Sequence, residues 1–484
     1  MYNLIEGYSY YFEDYSALVV GEILKIKKWD GFSPYLLSNN TGIAIESIKE
    51  FILTLCDVGL LTDDIYNSDD INSYRTAISL ERKKSPKRAI ERHSEDSFGT
   101  RSTAEELFLK KAPVCGSVML ELTYRCSEKC IHCYNPGASR NDTEESHRSC
   151  GFQELNIDDY KTIIDDLYDN GLFKVCLTGG DPFAKEGVWE IIDYLYEKEI
   201  AFDIFTNGQS LYGKEERLAK RYPRSVGLSI YSLEDEIHDG ITRVKGSLSR
   251  TVSVTKRLSD LSVPEYIKCC VMKANLNSYH TIYSLADEVG AKLQVDINVS
   301  DSIDGDKCVR TYLKPSEEEY KILLRDPNTL SYVDINGEDY KQFDLDFAIN
   351  QRPCNAGIKS FCICPDGSVI PCCAFHYILG NIMKSSIKEI VKTKEYHKWE
   401  AITLMDYDKC VSCKHIAFCS LCSGFNYAEN GIITEPSYDN CFLAEVRSKL
   451  FAELSNGNDP LKGLDYREAL SQFPKYAHCQ KKVL

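Results

Sequence analysis

Cys126, Cys130 and Cys133 put three thiols on one short loop, separated by three residues and then two. Three thiolates on a loop suit an iron–sulfur cubane in which one iron has no protein ligand and is open to a small molecule. Structural zinc normally closes with four protein ligands in paired Cys-x2-Cys steps, which this triplet does not offer. Ten further cysteines crowd the C-terminal part: Cys354, Cys362, Cys364, Cys372, Cys373, Cys410, Cys413, Cys419, Cys422 and Cys441. Taken alone, Cys410, Cys413, Cys419 and Cys422 have the spacing of a zinc knuckle. That reading leaves Cys354, Cys372 and Cys441 unexplained. The total of 21 cysteines is odd and sits in a chain of 484 residues, a poor match to a small secreted disulfide scaffold. Cys56, Cys115, Cys150, Cys176, Cys269, Cys270, Cys308 and Cys479 read as ordinary small hydrophobes.

The elements that must position these thiols alternate in type. Residues 118–123 form a strand leading into the triplet, and 173–178, 201–205, 226–230, 266–272 and 292–297 continue the series. Residues 158–168 and 188–198 have helical spacing between them, with Tyr160, Ile163, Ile164 and Leu167 facing inward. About six βα units imply an α/β fold with a parallel sheet, open or closed as a barrel, and ligand groups at the carboxyl ends of its strands. Residues 136–154 are a polar insertion and 314–349 a connecting segment. Residues 1–64 read as a small α+β unit: residues 8–12 and 16–25 are β-rich, 42–55 carry a helical stripe of Ile45, Ile48, Ile52 and Leu55, and residues 59–61 return to a strand. That order fits a winged helix. Residues 79–101 are charged and read as a linker.

The net charge is −16, and residues 1–64 hold Lys25, Lys27, Lys28 and Lys49 against ten acidic side chains. Both have the wrong sign for tracking phosphates, so no nucleic-acid partner is expected. No apolar run of about 18 residues and no signal-like start at residues 1–16 is seen, so the protein is expected in the cytoplasm and off the membrane.

The stretch Glu121-Leu-Thr-Tyr-Arg-Cys-Ser-Glu-Lys-Cys-Ile-His-Cys-Tyr134 closely resembles the signature of radical S-adenosylmethionine enzymes, with His132 at the aromatic position. Thr178-Gly-Gly-Asp-Pro182 looks like the family's Gly-Gly-Glu motif, with Asp181 in place of Glu. By itself Gly-Gly-Asp is only a strand-to-helix turn. Thr206-Asn-Gly208 and Ser229 follow in order at the ends of the next strands, and residues 238–247 match the family's next loop loosely. The resemblance implies a partial (β/α)6 barrel. In it Cys126, Cys130 and Cys133 hold a catalytic [4Fe-4S] cluster, and His132, Gly179, Gly180, Asp181, Thr206, Asn207 and Ser229 contact S-adenosylmethionine.

The later cysteines resemble the SPASM domain, which binds two auxiliary clusters and brings the implied total to three. By carry-over, Cys410, Cys413, Cys419 and Cys441 hold the outer cluster. Cys354, Cys372 and Cys422 hold the inner one, with Cys362 or Cys364 as a possible fourth ligand. Pro365-Asp-Gly-Ser368 reads as the domain's hairpin turn. The last step of the central motif has two residues where the family usually has three. Anaerobic sulfatase-maturating relatives carry an Asp where this chain has Cys373, which weighs against that activity. Residues 1–64 resemble the leader-peptide recognition element of peptide maturases, which adds an extended leader to a sheet edge.

The resulting division is a winged-helix-like unit (1–78), a linker (79–114), a radical S-adenosylmethionine barrel (115–313), a connecting segment (314–349), a SPASM domain (350–445) and a tail (446–484). The expected activity is hydrogen abstraction from a ribosomally made precursor and formation of a cysteine thioether. Carbon–carbon cross-linking, epimerisation and sulfatase maturation are the enzymatic alternatives, and a zinc-containing peptide-binding protein is the non-enzymatic one. Expected partners are the precursor with its leader and a flavodoxin- or ferredoxin-type electron donor.

Overall fold

A computed structural model describes residues 14–24, 34–57, 114–135, 153–300, 312–333, 343–474 and 476. The chain divides into two compact units, residues 1–111 and 112–484.

In the first unit, α1 (Asp14–Leu24), α2 (Pro34–Thr41) and α3 (Ile45–Asp57) surround a small core of Val19, Val20, Ile23, Leu37, Ile48 and Leu55. Residues 16–24 are therefore helical, not the strand expected from their valine and isoleucine content. The reason is periodicity: Val19, Val20 and Ile23 stand at i, i+1 and i+4, one side of a helix, and tertiary burial overrides β-propensity. The expected helix at 42–55 is α3. The expected strands at 8–12 and 59–61, and the linker at 79–101, lie outside the described residues.

The second unit is built on one nine-stranded sheet in the order β6-β5-β4-β3-β2-β1-β7-β8-β9. Its first six strands are β1 (Ser117–Glu121), β2 (Lys174–Thr178), β3 (Ala201–Thr206), β4 (Ser225–Ser229), β5 (Glu265–Cys270) and β6 (Lys292–Asp296), all parallel. Each matches a strand expected from sequence to within one or two residues. The helices α4 (Ile157–Tyr168), α5 (Val188–Glu197), α6 (Asp235–Thr242), α7 (Ser247–Asp260) and α8 (Ile282–Val289) follow them. In α4 the capping box is Asn156 with Asp159, and Tyr160, Ile163, Ile164 and Leu167 are buried. This is the partial barrel of parallel βα units.

Residue alternation assigns the two faces of the sheet. Val118, Leu120, Val175, Leu177, Ile204, Val226 and Leu228 belong to the core under the helices. Met119, Glu121, Cys176, Phe205, Gly227, Ser229, Lys268 and Asp296 therefore line the other face, the barrel lumen.

The C-terminal cysteine-rich part joins the same sheet. β7 (Ser360–Ile363) runs parallel to β1, pairing Met119 with Cys362, and β8 (Ser368–Ile370) folds back antiparallel through the turn at residues 364–367. A two-residue β9 (Gly380–Asn381) ends the sheet. Behind it, Trp399 is fully buried, donates from Nε1 to the Ala356 carbonyl at 2.7 Å and meets Phe375 edge-on at 4.9 Å. α9 (Ser423–Asn430) and α10 (Tyr438–Ser455) follow. No described helix is long and apolar enough to cross a membrane. Trp399→Ala removes a buried anchor worth about 3–5 kcal/mol. The expected result is a lower midpoint of anaerobic thermal unfolding, and an unchanged midpoint would contradict this packing.

Candidate iron–sulfur and cofactor site

The triplet sits where the strand order predicts, on the loop that leaves the carboxyl end of β1. Two neighbours hold that loop. On one side, the turn after β2 passes beneath it: Gly180 N donates to Thr123 O at 2.7 Å and Asp181 N to Arg125 O at 3.0 Å. Only glycine fits there. A Cβ on Gly179, at φ +127°, would lie 2.3 Å from Thr123 O, and one on Gly180 would lie 2.4 Å from Arg125 O. On the other side, Lys129 N and Ile131 N each donate at 3.0 Å to the last turn of α6, at Thr242 O and Ile241 O. Asn135 Nδ2 closes the loop's far end on Gly179 O at 2.9 Å.

Of the expected cofactor contacts, Asn207 reaches the triplet itself, donating from Nδ2 to Cys126 Sγ at 3.2 Å. Asp181 is fully buried and serves locally: its Oδ1 accepts from Thr206 Oγ1 at 2.8 Å and from Phe183 N at 3.3 Å. Burial pushes its carboxyl above the usual range. The ring of His132 is packed edge-on to Tyr231 at 4.8 Å, its Nδ1 is buried without a partner, and desolvation lowers its pKa to about 4, so it is neutral. Ser229 ends β4 on the lumen face, paired in register with Lys268. Asp239, in the loosely matched loop, accepts from Ser247 Oγ at 2.9 Å and Leu248 N at 3.0 Å and so fixes the start of α7.

Hydrogen bonds to and from the cysteine sulfurs are of two kinds. Cys126, Cys354 and Cys413 accept backbone N–H groups at 3.4 Å from Glu128, Ala356 and His415. Amide donors aimed at sulfur favour the thiolate form that iron requires. The thiols of Cys115, Cys269 and Cys270 donate to the carbonyls of Ser117, Tyr231 and Asn298, and that of Cys130 donates to Glu128 Oε2 at 3.5 Å.

Cys372 lies within electrostatic reach of Cys373, Cys422 and Cys354, and Cys422 within reach of Cys354. Cys410 and Cys419 lie within reach of Cys413 and Cys441. Among the described residues no three Cys, His, Asp or Glu side chains meet as ligands of a single ion.

Cys362 is placed differently from the other inner candidates. Cys354 and Cys372 pack against the core that holds Phe375 and Trp399, whereas Cys362 and Cys364 form a separate group with Ile370, Met119 and Cys373. Sequence reasoning missed that group, and it passed over Cys176, which pairs in register with Met119. Alternation along β1, β2 and β7 was the available signal. Tyr124 hydroxyl donates to Glu121 Oε2 at 3.1 Å, and burial raises Glu121 to about 7. Cys373 faces Tyr134 and is raised to about 11 by burial.

Residues 120–277 match the family model of the radical SAM superfamily, and residues 354–422 that of the SPASM iron-sulfur cluster-binding domain. The chain thus carries a radical SAM domain followed by a C-terminal SPASM domain. It is 29% identical over 315 residues to the antilisterial bacteriocin subtilosin biosynthesis protein AlbA of Bacillus subtilis, a match covering 62% of this chain and 66% of AlbA. It is 26% identical over 368 residues to the PqqA peptide cyclase of Rhodopseudomonas palustris, covering 71% and 92%. Among solved structures, Streptococcus suis SuiB bound to its precursor peptide SuiA aligns with a TM-score of 0.51 at 16% identity, over 82% of this chain and 89% of SuiB. An anSMEcpe structure with bound AdoMet aligns at 0.53 and 17%, over 74% and 98%. The two structures share the fold.

Gly180→Ala is expected to displace the cysteine loop, with loss of about four irons per chain and retention of the auxiliary iron. Full iron content in the variant would refute the docking role. Cys126→Ala is expected to abolish formation of 5′-deoxyadenosine, and unchanged formation would contradict the ligand assignment.

Proposed function

We propose that this enzyme modifies a ribosomally made precursor peptide by forming a cross-link, and that the bond is a thioether from a substrate cysteine. The observation that carries the reading is that the cysteine loop leaves the barrel's first strand while the cysteine-rich part joins the same sheet through β7, which pairs with β1. The names of AlbA, PqqA peptide cyclase and the SuiB complex with its precursor supply the substrate class. Cys126, Cys130 and Cys133 would hold the catalytic cluster, Cys354, Cys372 and Cys422 the inner one, and Cys410, Cys413, Cys419 and Cys441 the outer one.

Bound there, the clusters would supply one-electron chemistry: reductive cleavage of S-adenosylmethionine at the first, and acceptance of an electron at the others. The chain's own residues do the rest. Gly179 and Gly180 seat the loop, Asn207 donates to Cys126, and the neutral His132 ring gives an apolar wall. The lumen face of β1–β6 provides a space in which a peptide residue is held away from bulk water. The first unit carries exposed Leu18, Leu24 and Leu53 on its helices, and we assign it the leader. A flavodoxin- or ferredoxin-type protein is the proposed electron donor.

The test needs a candidate precursor, to be sought as a short cysteine-containing open reading frame beside this gene. Anaerobic incubation with S-adenosylmethionine and reductant is expected to lower its mass by two hydrogens. An unchanged mass with inverted stereochemistry would replace cross-linking by epimerisation, and an untouched peptide would remove the proposal. Deleting residues 1–64 is expected to weaken precursor binding while S-adenosylmethionine cleavage continues, and equal affinity would defeat the leader assignment.

A further inference from the structure

A carboxylate is seldom turned into a protein without donors to meet it, because its oxygens lose their water there. The loop between Cys126 and Cys130 holds Ser127, Glu128 and Lys129. Ser127 and Lys129 are exposed, whereas Glu128 is turned inward and is only 7% exposed. Its Oε1 is buried and has no hydrogen-bond partner among the described residues. Its Oε2 accepts from the Cys130 thiol at 3.5 Å. A buried acceptor left bare in this way is costly.

Iron makes the deficit larger. As a cluster ligand Cys130 is a thiolate and has no proton to give, so Oε2 loses its donor as well. The sulfurs of a cubane accept hydrogen bonds and donate none, so the cluster does not replace it. The loaded loop therefore needs a donor from outside itself.

Hydrogen bonds place Glu128 at the cofactor end of the barrel. Its backbone N–H donates to Cys126 Sγ at 3.4 Å, and Asn207 Nδ2, just beyond β3, donates to the same sulfur at 3.2 Å. Asn207 Nδ2 also lies 3.5 Å from Ser127 Oγ. Asp181, the carboxylate that the motif brings to this end, is tied to the fold through Thr206 Oγ1 at 2.8 Å and Phe183 N at 3.3 Å. Glu128 has no such tether.

We propose that Glu128 is a cofactor-binding residue whose Oε1 accepts a hydrogen bond from the amine of S-adenosylmethionine. That amine is the donor nearest the sulfonium. Glu128 lies two residues from each of Cys126 and Cys130, on the loop whose open iron takes the methionine end. The inference rests on the proposed cluster of Cys126, Cys130 and Cys133.

The experiment is equilibrium dialysis of the anaerobically reconstituted, oxidised full chain, with iron measured on every sample. S-adenosylmethionine and S-adenosylhomocysteine are both titrated, because they share the amine while the first alone carries the sulfonium charge. Glu128→Leu is expected to weaken both about tenfold or more at full iron content, the loss of a hydrogen bond to a charged acceptor. Glu128→Gln, which keeps one acceptor oxygen, is expected to fall between. A merely structural role would lower the iron content and leave the affinity of the loaded fraction alone. Weakening confined to S-adenosylmethionine overturns the amine assignment in favour of the sulfonium, and unchanged affinity for both overturns the proposal outright. If Glu128→Leu loses iron, Glu128→Gln at full iron decides: weaker binding of both ligands supports, wild-type binding overturns. A wild-type chain that loads iron and binds neither ligand overturns the cofactor reading beneath the proposal, and one that loads no iron at the triplet overturns the ligand assignment.

Discussion

The closeness of two stretches of backbone governs this structure. The turn after β2 lies directly under the cysteine loop, with Gly180 N 2.7 Å from Thr123 O and Asp181 N 3.0 Å from Arg125 O. No side chain larger than hydrogen fits at residues 179 and 180. Two short hydrogen bonds therefore fix the height of three thiols above the sheet, and the last turn of α6 fixes their tilt. Everything the loop offers, from the Asn207 donor to the packed His132 ring, inherits its geometry from that contact.

The framework of the second unit was legible almost directly, because parallel strands covered on the outer face read as short apolar runs and their helices as 3.6-residue stripes. The position of the cysteine loop at the end of the first strand was equally legible, since that spacing is local. Two features were not. Residues 16–24 carry so much valine and isoleucine that composition points to a strand, while the burial of Val19, Val20 and Ile23 on one side makes a helix. The identity of the lumen wall was also hidden. Cys176, Cys362 and Met119 are far apart along the chain, and only the register of β7 on β1 and of β1 on β2 brings them into one row.

The same logic gives Asp181 a local role that the motif alone does not reveal. Its carboxylate caps the following turn through Phe183 N and holds Thr206, while its backbone N–H meets the cysteine loop at Arg125 O. One residue of a motif can thus serve the fold through both its side chain and its main chain.

The parallel pairing of β7 with β1 has a consequence for how such a protein can be divided. The barrel's first strand has its outer edge satisfied by residues more than two hundred positions later in the chain, so the cysteine-rich part is no detachable module. Severed from it, β1 would present a bare row of amide and carbonyl groups, an invitation to stick to a second copy. A lineage that discarded the C-terminal segment would have to evolve a replacement seam, and an engineer hoping to transplant the barrel alone would inherit the same obligation.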